Sequence, residues 1–133
     1  MTVSPHTPLE RLGWKVWVAV SIGGLGGAEV RYLLGVLFPE PAGSFPWTTL
    51  TINVAGSFLL GWLTALWAGG RLRRRWVQAG LGPGLIGSFT TFSAVALTAV
   101  TEPALFLPYL GGSVVLGLAA AAAGTAVAPE SAR

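Results

Sequence analysis

The sequence predicts an all-α integral membrane protein with four transmembrane helices. Three observations predict it. Of 133 residues, 53% are hydrophobic and only 10% are charged, with no Asp and no Cys. Mean hydropathy is +0.68, and a soluble domain of this size needs a charged shell that this chain cannot build. The charges are also spaced so that four long apolar stretches remain, each near the ~20 residues that cross a ~30 Å hydrocarbon core. The lack of cysteine excludes disulfide frameworks and thiolate metal sites. The pI near 10.2 comes from few charges, not from a basic face, so nucleic acid is not an expected partner.

Residues 1–11 read as a polar, proline-containing N-terminal tail, and residues 12–128 as one membrane domain. The first span, residues 12–38, is interrupted only by Lys15, Glu29 and Arg31. It is too long for a signal-peptide core and carries charge late, so no cleavage is expected. The spans at residues 45–68, 76–101 and 103–128 carry no charge at all, and residues 129–133 form a C-terminal tail. Trp14, Trp17, Trp47, Trp67 and Trp76 fall near span ends, where indole rings favour the interface.

Loop charges set the orientation. Four crossings put Arg11, Lys15, Arg71, Arg73, Arg74, Arg75 and Arg133 on one side, seven positives, while the opposite loops hold Glu40 and Glu102 and no Lys or Arg. The excess places both termini in the cytoplasm of a cell with this protein in its plasma membrane. The Arg71–Arg75 cluster is either this topology signal alone or also a site for lipid headgroups or a partner.

Polar residues inside the spans are the candidates for function. Gly23, Gly24, Gly26 and Gly27 let the first span approach another backbone closely. Glu29 and Arg31 lie two apart, so they do not face each other on a straight helix. Each marks a pathway or buried pair, or snorkels to the interface. The Asn53 amide either donates to an anion or bonds to a neighbouring helix. Ser57 and Gly61 form a small-residue pair suited to helix packing. In the third span, Gly80, Gly82, Pro83 and Gly84 weaken the helix before Gly87, Ser88, Thr90, Thr91 and Ser93. A helix broken at mid-membrane there would free carbonyls for a cation or N–H groups for an anion. The hydroxyls would otherwise bond harmlessly to carbonyls one turn back. Phe89 and Phe92, three apart, are core filler or ring edges along an anion path. Tyr109 and Ser113, four apart, can extend a polar track.

These residues carry a resemblance. Gly23-Gly24-Leu25-Gly26-Gly27-Ala28-Glu29-Val30-Arg31-Tyr32 resembles the first-span GGxxGAxxRY pattern of the CrcB/Fluc fluoride channels. Residues from Thr49 to Gly61, with Asn53, Gly56 and Ser57, resemble the family's GTLxxNxxGSFxxG second span. Gly84-Leu85-Ile86-Gly87-Ser88-Phe89-Thr90-Thr91-Phe92-Ser93 resembles its GxxGGxTTFST third span. The resemblance implies an antiparallel dimer with two fluoride pores and passive fluoride efflux. It implies a central structural Na+ on the backbone carbonyls of Gly87 and Thr90. It makes Asn53 the pore amide, Phe92 the anion-lining ring, Ser93 part of the polar track and Arg31 a vestibule residue, with Tyr109 and Ser113 as the fourth-span hydroxyl pair. Ser88, Thr49 and Ala94 depart from the pattern, and Val95 stands where the family has a second pore phenylalanine. The unbalanced loops imply a mate of reversed orientation, most simply a homologous second subunit. Two other readings are a proton-coupled small multidrug-resistance-type exporter using Glu29, and a non-transporting membrane assembly factor.

Overall fold

A chain surrounded by hydrocarbon must pair its backbone groups internally, and helices do so within each segment. The computed structural model describes residues 13–71 and 74–129. Four of its helices are long and apolar enough to cross a membrane, as the sequence predicts. The first two are continuous: α1 (Trp14–Leu37) and α2 (Trp47–Ala68). The third span is assembled from pieces. They are α3 (Arg75–Ala79), a π-helical segment (Gly80–Ile86), α4 (Gly87–Phe89) and α5 (Ser93–Thr101). The fourth is α6 (Pro103–Val127), with Pro103 in the first turn, where no N–H is required. The N-terminal tail, Arg11, Arg73 and Arg133 lie outside the described residues.

The π-helical segment has a local cause. Pro83 sits inside it, lacks an N–H and crowds the carbonyl one turn back. A wider hydrogen-bond register relieves that crowding without ending the helix. The glycines beside it admit neighbours: a Cβ on Gly82 would sit 2.8 Å from the Trp67 ring, and one on Gly80 would sit 3.1 Å from the Ala19 side chain.

Two helix pairs dominate the packing. α1 lies along α3, the π segment and α4, while α2 lies along α6, which α5 also touches. Both pairings depend on missing side chains. A Cβ on Gly23 would strike the Gly80 carbonyl oxygen, and one on Gly27 would strike that of Leu85. Across the other pair, Gly61 faces the Ala121 carbonyl and Gly124 faces that of Phe58. The interior is small. Leu63, Leu66 and Ile86 form one cluster, and Leu50, Val95 and Tyr109 form another. Only 6% to 22% of each span's most apolar stretch is buried. Trp14, Val100, Leu107 and Leu118 point outward, an arrangement made for an apolar surround.

Candidate functional site

The site grows from the point where α4 stops. The Thr90 N–H and hydroxyl both donate to the Ile86 carbonyl, each at 2.9 Å. Thr90 then turns extended, at φ −77° and ψ 158°. A continuing α-helix would send the Thr91 N–H to the Gly87 carbonyl and the Phe92 N–H to that of Ser88. Neither bond forms. Thr91 N–H donates to Asn53 Oδ1 at 2.8 Å, and Asn53 Nδ2 donates to the Thr91 carbonyl at 2.9 Å. The Ser88 carbonyl accepts from Arg31 Nε at 3.1 Å. Side chains from α1 and α2 thus take over backbone groups that a regular helix would pair. The Gly87 and Thr90 carbonyls keep no hydrogen-bond partner among the described residues.

Phe92 restarts the ladder by accepting from the Ala96 N–H at 3.1 Å. The Thr91 and Ser93 hydroxyls share a bond of 2.7 Å. With extended residues between them, Phe89 and Phe92 no longer sit on one helix face. Phe89 packs over Gly56, whereas Phe92 is 71% exposed.

Two grooves flank this segment. One, of about 700 Å³, holds Asn53, Gly87, Thr90, Phe92, Val95 and Ser113. Ser113 Oγ is shielded there and has no hydrogen-bond partner among the described residues. The other, of about 590 Å³, holds Arg31, Glu40, Thr49 and Ser93. Thr91 lines both. Among the residues that the resemblance marks as pore or sodium-site residues, Tyr109 alone lines neither groove. It is fully buried against Leu50 and Val95, with its ring edge-on to Phe45 at 5.8 Å. Glu29 is exposed and also lines neither.

Sequence reasoning missed one participant and the backbone role of another. Thr91, named for its hydroxyl, is held through its N–H and carbonyl, and only the place of Asn53 in space reveals that. Glu40 accepts the Thr49 N–H at 2.7 Å and the Thr49 hydroxyl at 3.1 Å. It therefore supplies a free N–H in the first turn of α2 with an acceptor from the preceding loop, beside the positive end of the helix dipole. Thr48 adds a second tie, donating to the Phe38 carbonyl at 2.9 Å. Together they fix the α1–α2 turn over the second groove.

Residues 18–125 match the family described as CrcB-like protein, Camphor Resistance (CrcB). The chain belongs to the CrcB-like family. Similar curated proteins agree over most of its length. The Fluoride-specific ion channel FluC of Methanopyrus kandleri is 42% identical over 125 residues, 90% of this chain and 94% of the relative. FluC 2 of Geobacillus kaustophilus is 41% identical over 122 residues, 86% of this chain and 95% of the relative. FluC 2 of Nocardia farcinica is 38% identical over 118 residues, 85% and 84% of the two chains. These relatives are named as ion channels, a class distinct from enzymes. The family match and the four apolar helices make this CrcB-like chain a multi-pass membrane protein.

Proposed function

We propose that this CrcB-like protein is a fluoride-selective channel that lowers cytoplasmic fluoride by passive efflux. The observation that carries the reading is the Thr90–Phe92 interruption, with its polar groups presented to open grooves, in a chain whose relatives are named fluoride-specific channels. An anion leaving water must exchange hydration for donors in a low-dielectric passage. The second amide hydrogen of Asn53 and the Thr91–Ser93 hydroxyls are such donors. The exposed Phe92 ring can offer its positive edge. Arg31 favours anions near the second groove.

The interruption lies at mid-membrane in this reading, in the manner of discontinuous helices at transport sites. A structural Na+ fits the Gly87 and Thr90 carbonyls, because partnerless main-chain oxygens suit a hard cation. Two oxygens are too few to replace a hydration shell, so a second subunit supplies the others. That subunit is antiparallel, and its contact covers the first groove. Seven positives against none at the loops hold this chain in one orientation, termini inside the plasma membrane. The mate is then a homologous subunit of reversed orientation.

The deciding experiment is ion release from liposomes carrying the assembled protein. Fluoride should leave far faster than chloride. Equal rates would sink the fluoride assignment, and no flux of either ion would sink the channel.

A further inference from the structure

A third groove lies away from the interruption, between the start of α1 and α3. It has a volume of about 310 Å³ and is lined by Trp14, Lys15, Val18, Ile22, Arg74 and Trp76. Its two cations come from different walls, Lys15 from α1 and Arg74 from the residue before α3. Among the described residues no acidic side chain lines it, and two positive charges share one small space. Lys15 Nζ lies 5.9 Å from the centre of the Trp14 ring, and no ion pair involves Lys15 or Arg74 among the described residues. Trp14 and Trp76 are 71% and 40% exposed, and indoles of this kind sit at headgroup depth.

The groove also changes character along its length. From Lys15 to Ile22 the α1 wall runs about 10 Å along the helix axis and passes from a cation to Val18 and Ile22. A free phosphate would use only the charged end. An amphiphile with a negative head and an apolar tail uses both. We propose that this groove holds an anionic phospholipid, its phosphate between Lys15 and Arg74 and an acyl chain against Val18 and Ile22. Charge-assisted hydrogen bonds hold the head. The inference needs only that the chain sits in a bilayer, and it stands or falls separately from fluoride conduction.

Brominated lipids test it through tryptophan quenching. The full-length protein is reconstituted in phosphatidylcholine vesicles containing a small, equal fraction of dibrominated phosphatidylglycerol or dibrominated phosphatidylcholine. The anionic lipid should quench more than the zwitterionic one. Replacing both cations, Lys15→Gln with Arg74→Gln, should remove that excess, since each charge near a membrane surface is worth about fivefold in association, ~1 kcal/mol. Quenching by dibrominated phosphatidylcholine should stay unchanged in this variant, which shows that it is folded and inserted. Lys15→Arg with Arg74→Lys should keep the excess. Equal quenching by the two lipids in the unaltered protein overturns the proposal. An excess that survives the double Gln variant overturns the assignment to this groove. Displacement of the excess by millimolar inorganic phosphate overturns the lipid in favour of a free-anion site.

Discussion

Asn53 is where a single side chain holds two main-chain groups. Its amide accepts the Thr91 N–H and donates to the Thr91 carbonyl, at 2.8 and 2.9 Å. Asn53→Ala removes both contacts and fills neither. Side-chain hydrogen bonds between membrane helices average about 0.6 kcal/mol, whereas a buried group left unpaired costs about 1–3 kcal/mol. Asn53 and Thr91 are half-buried beside open grooves, so the lower part of that range applies to each orphaned group. The expected loss is about 2 kcal/mol, or roughly thirtyfold in the population of the clamped segment. Hydrogen exchange of a peptide spanning residues 86–92 in lipid nanodiscs measures this directly. Thr91 protection should fall by about that factor, because opening then costs less, and fluoride efflux should fall with it. Asn53→Asp keeps the acceptor and loses the donor, so its exchange should be intermediate. Its carboxylate beside the groove should leave efflux no better than in the Ala variant. Unchanged Thr91 exchange in Asn53→Ala would refute the clamp. Normal efflux would also refute the role of this amide in the pore.

Further outcomes are expected at other residues and for the ion. Gly27→Ala should lower the thermal midpoint in detergent by overpacking, about 1–3 kcal/mol, because its Cβ meets the Leu85 carbonyl and lies 2.9 Å from the Phe89 nitrogen. Gly26→Ala, with nothing within 4 Å, should be neutral in the same melt. Glu40→Ala should destabilise the start of α2 by about 0.5–2 kcal/mol, read as faster exchange of the Thr49 amide, and Glu40→Gln should lose less. Thr90→Ser keeps the hydroxyl bond to Ile86 and the free carbonyl, so efflux should hold, while replacing Na+ by a bulky organic cation should lower the melting temperature of the assembly. Cysteines at Gly13 and Ala42, labelled in intact cells, should report opposite sides. Ala42 is the better probe than Gly43, whose φ of +75° disfavours a side chain. Comparable labelling of each cysteine from both sides would overturn the single orientation.

Four spans are legible in the sequence because charge is scarce and bilayer thickness fixes segment length. The small-residue pairing at Ser57 and Gly61 is legible too, since close helix approach demands it, and Ser57 lies 3.3 Å from where a Cβ on Gly117 would stand. The exact place where α-helical geometry stops is less so. Breakers concentrate at Gly80–Gly84, yet there the helix only widens to a π register. The extended residue is Thr90, whose own chemistry does not break helices. What stops the ladder comes from 57 and 38 residues away, as Arg31 claims the Ser88 carbonyl and Asn53 claims Thr91. No local pattern carries such long-range capture. Tyr109 shows the converse. Spacing sets it on one face with Ser113, but the bulk of its ring takes it into the cluster with Leu50 and Val95, away from the groove that Ser113 lines.

The small interior of this molecule has a thermodynamic consequence. Soluble proteins associate by withdrawing apolar surface from water, and a negative heat-capacity change records that transfer. Here the outward faces of Val100, Leu107 and Leu118 are apolar already, and in a bilayer they exchange lipid for protein rather than water for protein. Association of this chain within a membrane should therefore carry almost no heat-capacity signature. Its strength should hardly respond to trimming those side chains, and should depend instead on shape fit and on the few polar atoms left without partners.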